Sequence, residues 1–361
     1  MDAKTINLVR NNLGYYVLKQ NPTYAYVAFH QEYVVPALHQ VAEHKIPALA
    51  MLFPVRHAKS EYASINFPAW LFGKWPARKN MELSYSDKFA KRFGRKVLNL
   101  IKSDVHKEAF PECVLSPTAR SGGYFATMAG GEFYSAGFNG TITGAGVDGV
   151  LIIDDPIKNM TEAKSESIML TRMEDYRSAA KTRLEGGSRL MALTRWCRGD
   201  FFDRVIEEEG TIDQGGLWRV LKFPAEAEAN DPLDRQPGEF LWPERFGRAW
   251  YMEAKKNLRT WNALYQQNPD ANQGRRFKHE WLTYYKKRIM PQKFPAYMLT
   301  DPSKGEDPKS DFTVTLVVVA TPEKRLLLVD AVVDRLDLDE NAKEHIRLIR
   351  KWRPVRWLYE E

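Results

Sequence analysis

Residues 46 to 61 constrain this chain most. An apolar run, Ile46 to Phe53 (IPALAMLF), leads directly through Pro54-Val55-Arg56-His57-Ala58 into Lys59-Ser60-Glu61 and then a helical pattern. A continuous apolar run of this kind reads as a strand buried on both faces of a parallel sheet. Where such a strand opens through a loop into a helix, backbone N–H groups and the helix N-terminus converge on an anion. A lysine ammonium there meets terminal phosphates, and a serine hydroxyl can ligate Mg²⁺. The two glycines of a standard phosphate loop are replaced here, by Phe53 and Ala58. Taken alone, a Lys-Ser pair after a strand is a common solvated helix start.

A second stretch, Val150 to Pro156 (VLIIDDP), strengthens the reading. Its apolar residues end in two carboxylates, and the C-terminal ends of parallel strands are where open α/β sheets bind ligands. Asp154 is placed to hold a metal through water, and Asp155 to polarise an attacking water. The bland alternative for this stretch is a strand followed by an Asp-Pro turn.

At 361 residues the chain exceeds what one hydrophobic core usually fills, so two domains are expected. Lys plus Arg number 53 and Asp plus Glu 46, a net charge of +7 that is compatible with nucleic acid without requiring it. Cys113 and Cys197 are too few for a disulfide framework or a zinc site. No apolar run approaches the ~18 residues of a membrane span, and the start MDAKTINLVRNN lacks a secretion signal's apolar core. A soluble, intracellular protein is expected. The Gly-rich stretch 137 to 149 precedes a strand instead of a helix, which argues against dinucleotide binding.

PVRHAKSE (54 to 61) resembles the deviant phosphate loop of viral terminase large subunits, the DNA-packaging motors of tailed phages. That loop commonly reads Pro-Pro-Arg-His-Gly-Lys-Ser-Glu. The resemblance continues through GEFYSAGFNGTITGAGVDGVLIIDDPIKN (131 to 159), MALTRW (191 to 196), YQQNP (265 to 269) and DPSKGEDPKSDFTV (301 to 314), in the family's order. It implies an ATPase that drives double-stranded DNA into a procapsid and a nuclease that cuts the concatemer. By resemblance Arg56, His57, Ala58, Lys59, Ser60 and Glu61 bind nucleotide. Ser60 and Asp154 hold Mg²⁺, Lys59 and Asp155 are catalytic, and Thr194 and Arg195 form a coupling motif that senses the γ-phosphate. The implied partners are DNA, a portal protein, a small terminase subunit and further copies in a ring, five by resemblance, all in the host cytoplasm. Arg120 is a candidate for the arginine that a neighbour's active site receives, and Gln31 for a base contact.

The fold class that follows is α/β: a P-loop NTPase domain with a mainly parallel sheet and flanking helices, then a partial ribonuclease-H-like nuclease domain. Residues 1–45 are expected to be a helical lid, with apolar surface from Tyr15, Tyr16, Val17, Tyr24, Val27 and Phe29. The ATPase domain is set at 46–224. Residues 225–295 are read as a linker and connecting helices, because AEAEANDPLDRQPGEFLWP has no sustained period. Long helices are expected after Pro156 up to Gly186 and from Phe246 to Gln267. The helix Asp87 to Lys102 carries Lys88, Lys91, Arg92, Arg95 and Lys96, a solvated face or a surface for DNA phosphates.

From Ala296 the pattern runs strand, strand, strand, helix, strand, the start of a ribonuclease-H-like domain (296–361). Asp301 ends the first strand and Glu360 the fourth, which brings two carboxylates to neighbouring strand ends. Hard carboxylate oxygens in that arrangement hold a pair of Mg²⁺ or Mn²⁺ ions across a phosphodiester. Asp311 is an accessory ligand. The family's third carboxylate lies further along than Glu361, so an incomplete nuclease site is expected. Two other classes stay open: a DNA-binding or scaffolding protein with a degenerate loop, suggested by Ala58 and the missing third acid, and a helicase-like ATPase, which leaves Asp301 and Glu360 without a role.

Overall fold

The computed structural model describes residues 1–138, 140, 146–269, 283–285, 293–303, 312–322 and 325–360, with backbone alone for 118–120. Two compact units result, Met1–Arg275 and Arg276–Glu361. In the first, β1 (Ala48–Leu52), β2 (Lys79–Ser84), β3 (Leu115–Arg120), β4 (Tyr124–Thr127), β5 (Glu132–Gly137), β6 (Val150–Asp154), β7 (Ser188–Leu193) and β8 (Trp218–Lys222) form one sheet. Its order is β3-β4-β5-β2-β6-β7-β1-β8. Every neighbouring pair from β5 to β8 is parallel, and β3 and β4 run antiparallel at one edge.

All of β1 and β6 is buried, which is why β1 reads as an unbroken apolar run and β6 as one up to Asp154. Alternate residues serve opposite layers. Leu49 and Met51 pack with Tyr16, Leu38 and Trp70 on one face, while Ala48, Ala50 and Leu52 pack with Met169, Tyr176 and Phe201 on the other. The first layer draws on α1 (Ala3–Asn11), α2 (Leu13–Gln20), α3 (Val35–Ala42) and α4 (Phe67–Lys74). Wide turns, His30–Val34 and Glu61–Asn66, lead into α3 and α4. Pro36 and Pro68 stand near the start of those helices and have no N–H to continue the ordinary ladder.

Much of the N-terminal segment expected as a lid packs into the core. Val9, Leu13, Tyr16, Val17 and Leu38 are fully buried against the sheet layer, although Tyr15 is exposed. The helix α5 spans Asp87–Lys102 as read from the sequence, with the Ser86 hydroxyl accepting from the Phe89 N–H at its start. The long helix expected after Pro156 is broken into α7 (Met160–Lys164), α8 (Glu166–Asp175) and tighter or wider turns to Arg183; α6 (Asp104–Ala109) precedes it and α9 (Phe201–Glu209) follows it. The linker reading of 225–243 is also corrected. Ala225 and Leu241 are buried, the Leu241 N–H donates to the Ala225 carbonyl at 2.8 Å, and Ala225 joins Tyr251 and Trp261 in a small core. The helix expected over Phe246 to Gln267 divides into α10 (Arg248–Lys255), α11 (Leu258–Thr260) and a wide turn, Trp261–Tyr265. All of these belong to the first unit.

In the second unit, β9 (Ala296–Asp301), β10 (Thr313–Ala320), β11 (Leu326–Asp334), α12 (Leu338–Trp352) and β12 (Arg356–Tyr359) follow in the expected succession. The sheet order is β11-β10-β9-β12, with β10 antiparallel to both neighbours and β12 parallel to β9. Leu348 and Trp352 of α12 close a core over Ala296, Met298, Val317 and Val319. A reciprocal cap between Asp337 and Glu340 starts α12.

Candidate functional site

The loop after β1 does without its two glycines for different reasons. Phe53 is fully buried and stacks on Phe223, with ring centroids 5.0 Å apart, so it is a core residue at the strand end. Ala58 has φ +61° and Arg56 φ +64°. Both occupy the left-handed region, where a Cβ costs roughly 1–2 kcal/mol. Position 58 is therefore a place where glycine fits best, and this chain carries the strain of an alanine there.

What holds the strained loop is His57. Its Nδ1 donates to the Val55 carbonyl at 2.9 Å, its Nε2 accepts from the Tyr251 hydroxyl at 2.9 Å, and its own carbonyl accepts from His30 Nε2 at 3.0 Å. The Tyr251 hydroxyl accepts in turn from the Trp242 N–H at 3.2 Å. Burial pushes His57 down to about 4 and His30 to about 3, so both rings are neutral near pH 7. The His57 side chain, one of those expected at the nucleotide, stands as a buried strut beneath the loop.

Lys59 is buried, and its ammonium donates to Thr194 Oγ1 at 2.7 Å and stands 3.5 Å from Asp155 Oδ1. Asp155 has φ +39°, a turn that lets its Oδ1 accept from the Thr194 N–H at 3.1 Å while its own N–H donates to the Ala192 carbonyl. Lys59, Asp155 and Thr194 are thereby tied together at the C-terminal ends of β1, β6 and β7, adjacent parallel strands. Beneath them, the Ser60 hydroxyl donates to Asp154 Oδ1 at 3.2 Å and the Ser64 hydroxyl to Oδ2 at 2.5 Å. Burial, reinforced by Asp155, raises the Asp154 carboxyl above the usual carboxylate range. On β2, the carboxyl of fully buried Glu82 is likewise raised, by burial and then by Asp154.

Among the described residues no group of three or more His, Cys, Asp or Glu side chains could hold a metal. The Ser60 and Asp154 oxygens nonetheless fit Mg²⁺, which keeps several waters and takes one or two protein oxygens plus substrate phosphates. The Arg195 side chain makes its contacts elsewhere. Its guanidinium pairs with Asp200 at 3.0 Å and Asp203 at 2.6 Å and lies over Phe202, bracing β7 to the start of α9.

These groups open on a cavity of about 630 Å³, lined by Tyr24, His30, Arg56, Ala58, Lys59, Ser60, Glu61, Asp155, Thr194, Trp242 and Arg245 among others. Trp242 and Arg245 come from the end of the supposed linker and just past it, and nothing local in the sequence marks them. Ser64 did carry a signal: it follows Ser60 at the i,i+4 spacing that puts two hydroxyls on one helix face. Gln31 is not in the cavity wall; its amide donates to the Tyr62 hydroxyl at 3.1 Å, and the Tyr62 ring stacks on His30. The backbone of Arg120 lies in β3, and its side chain is outside what the structure describes.

In the second unit β12 pairs with β9 so that Tyr359 stands opposite Thr300, and the Glu360 N–H donates to the Thr300 carbonyl at 2.9 Å. Glu360 and Asp301 are therefore brought to adjacent strand ends, both exposed. Asp311 lies outside the described residues. Behind the pair, His345 Nε2 is 2.9 Å from Thr315 Oγ1, and Trp357 Nε1 donates to Thr300 Oγ1 at 3.0 Å.

No protein-family model matches this chain, and no curated protein matches it. Solved structures that match include the large terminase of bacteriophage HK97, at 9% identity and TM-score 0.48 over 97% of this chain and 74% of that one. The large terminase of a thermophilic bacteriophage in complex with ADP matches at 8% identity and TM-score 0.34, over 96% and 73% of the two chains. A mutant ATPase domain of a Thermus phage large terminase matches at 15% identity and TM-score 0.39, over 69% and 95%.

Proposed function

We propose that this chain is an ATPase of the phage DNA-packaging kind, a large terminase subunit that couples ATP hydrolysis to movement of double-stranded DNA. The observation that carries the reading is the position of the Lys59 ammonium. It lies between Thr194 and Asp155 at the ends of adjacent parallel strands, with the Ser60–Asp154 pair beneath and a cavity in front. In this reading Lys59 and Arg56 compensate the β- and γ-phosphate charge. Asp155 orients a water whose oxygen bonds to the γ-phosphorus as the bridging bond to ADP breaks. Ser60 and Asp154 would hold Mg²⁺, which when bound neutralises charge on the phosphate oxygens. Thr194 changes partner when a γ-phosphate takes the Lys59 ammonium, and that exchange starts the coupling.

The partners follow the same reading: DNA, a portal protein, a small terminase subunit, and further copies of this chain in a ring where a neighbour's arginine, with Arg120 as candidate, completes the site. The host cytoplasm is the matching location. Steady-state ATPase with and without DNA tests the proposal. Turnover that DNA stimulates and Lys59→Ala abolishes is expected; near-normal turnover by purified Lys59→Ala would sink it. DNA binding without turnover in the unmutated chain would favour the scaffolding alternative.

A second reading concerns the other unit. The β9–β12 register, which pairs Tyr359 with Thr300 and leaves Glu360 and Asp301 as the next residue of each chain, favours a metal-dependent DNA-cutting site there, of the two-metal kind, with Asp311 as accessory. A helicase-like ATPase leaves that pair without a role, and a nuclease assay with Mn²⁺ separates the two.

A further inference from the structure

The sequence YQQNP (265 to 269) holds two glutamines, and the second occupies an unusual place. Gln267 is fully buried and has φ +54°. A non-glycine residue in the left-handed region persists only where its surroundings over-determine it. Its side-chain amide is used at both ends. Oε1 accepts from the Arg195 N–H at 3.2 Å, and Nε2 donates to the Leu264 carbonyl at 2.7 Å. That same carbonyl accepts from the Val55 N–H at 3.3 Å.

The consequence lies in what these hydrogen bonds join. The parallel ladder between β1 and β7 ends at Leu52 and Leu193. Beyond it the chains run on as the phosphate loop, Val55 to Lys59, and as the Thr194–Arg195 strand end. No ladder pair holds those two extensions together, yet Lys59 Nζ and Thr194 Oγ1 meet at 2.7 Å. The path Val55, Leu264, Gln267, Arg195 spans the gap.

We infer that Gln267 is a positioning residue that sets the distance between Lys59 and Thr194 by locking the phosphate loop and the strand end to one buried amide. This rests on the ATPase reading above only for its kinetic consequence. Without the amide, the Arg195 N–H is a buried donor with no partner, and the strand end can settle only by moving. Arg195 N–H is one residue from the hydroxyl that must exchange partners with the γ-phosphate. Misplacement on the scale of an ångström at such a site costs turnover and leaves ground-state binding nearly unaffected.

The adjacent glutamine supplies the control. Gln266 is also buried, and its amide also makes a two-ended clasp, accepting from the Glu226 N–H at 2.9 Å and donating to the Glu226 carbonyl at 3.0 Å. That clasp holds a segment with no direct tie to Thr194. The experiment compares Gln267→Met with Gln266→Met in the full chain, reading ATP affinity, kcat and deuterium uptake of peptides covering 52–60 and 190–197. For Gln267→Met, uptake in both peptides should rise together by roughly tenfold in rate. Its kcat should fall about 10- to 100-fold with little change in ATP affinity. Gln266→Met should destabilise comparably and change neither. Gln267→Glu keeps an acceptor for the Arg195 N–H and should recover part of the protection at 190–197.

Equal effects of the two methionine variants, or full protection at both peptides in Gln267→Met, would overturn the inference. If the unmutated chain neither binds nor hydrolyses ATP, the ATPase reading fails on its own, and the uptake comparison still decides whether Gln267 joins the two loops.

Discussion

Ser60 and Ser64, one helical turn apart, each donate to a different oxygen of the buried Asp154 carboxylate. The Ser60 bond, at 3.2 Å, is the longer and looks onto the cavity; the Ser64 bond, at 2.5 Å, is buried. This asymmetry assigns them different tasks. On the ATPase reading proposed above, Ser60 would let go of Asp154 to meet a metal, while Ser64 would keep the carboxylate aimed.

Ser64→Ala should therefore cost stability as well as metal-dependent nucleotide binding. Removing a hydrogen bond to a buried charged group costs about 1.5–3 kcal/mol. Urea denaturation measures the first effect and nucleotide titration with varied Mg²⁺ the second. Unchanged Mg²⁺ dependence would leave Ser64 a packing residue only.

Ala58→Gly should stabilise the protein. Relief of a left-handed alanine contributes about 1–2 kcal/mol, and the extra freedom of glycine in the unfolded chain offsets about 0.4–1 kcal/mol of that. A net gain of roughly 0.5–1 kcal/mol in urea denaturation is expected. A loss of stability would mean that the loop does not hold φ +61° at this position in solution.

His30→Gln should flatten the acid side of the stability profile. Burial lowers His30 from 6.5 to about 3, so between those values the unfolded chain binds a proton that the folded one excludes. Stability from this group is full above the unfolded value of 6.5 and falls as pH drops through the window, by about 1.4 kcal/mol per unit. His57 adds to the same trend over its window down to about 4. Asp154 runs the opposite way, since a carboxyl raised by burial loses stability as pH rises above the ordinary carboxylate range. Glutamine still has an amide to offer the His57 carbonyl and does not titrate. The difference in unfolding free energy between about pH 7 and about pH 5 should shrink by about 2 kcal/mol. An unchanged difference would show that His30 is not held neutral.

Charge reversal on α5 should weaken DNA binding without touching the phosphate loop. Lys88, Lys91, Arg92 and Arg95 share one exposed face at i, i+3, i+4 and i+7, a like-charge arrangement that costs the helix a few tenths of a kcal/mol per pair. Among the described residues only Lys91 of these has a carboxylate partner, Asp87 at 3.1 Å. Elsewhere the surface pairs its charges, as in Arg204 with Glu166 and Arg177 with Glu208. Lys88→Glu combined with Arg92→Glu should lower affinity for double-stranded DNA and reduce the salt slope by about 0.9 for each phosphate that is no longer neutralised. An unaltered slope would make α5 a merely solvated face.

Asp301→Ala should stop any Mn²⁺-dependent DNA cutting and spare ATP turnover, because Asp301 and Lys59 belong to different units. Cleavage indifferent to this change would show that the cutting site lies elsewhere.

Much of the framework was legible because it depends on local pattern. Strands β1 and β6 are buried on both faces, so β1 is apolar throughout and β6 up to Asp154, and the polar residues that follow or close them, Lys59-Ser60 past the loop and Asp154-Asp155, stand out by contrast. Helix α5 is capped by Ser86 and keeps one apolar stripe, Ala90, Phe93, Gly94, Val97, Leu98 and Ile101, so its ends agree with the sequence reading. The β9–β12 neighbourhood was equally readable, because three strands and a crossover helix leave few places for the fourth strand.

What only the tertiary structure decided are relationships between residues far apart in the chain. His57 sits two residues from Lys59 in the sequence, yet burial between Val55 and Tyr251 turns it into a neutral strut, and no local pattern encodes the Tyr251 contact. Residues 225 to 243 lack a hydrophobic period because they pack as irregular chain, with the Ala225 and Leu241 backbones bonded to each other and Ala225 bonded to Tyr265, so composition made them look like a linker. The left-handed backbone at Ala58 and Gln267 is imposed by closure of the loop and by the Arg195 contact; neither residue type favours it. Side-chain type and spacing set which strands, helices and charged ends exist, because those follow from which surfaces must leave water. Which polar groups then meet at the strand ends was settled by packing, because a buried donor or acceptor takes whatever partner the folded chain brings within reach.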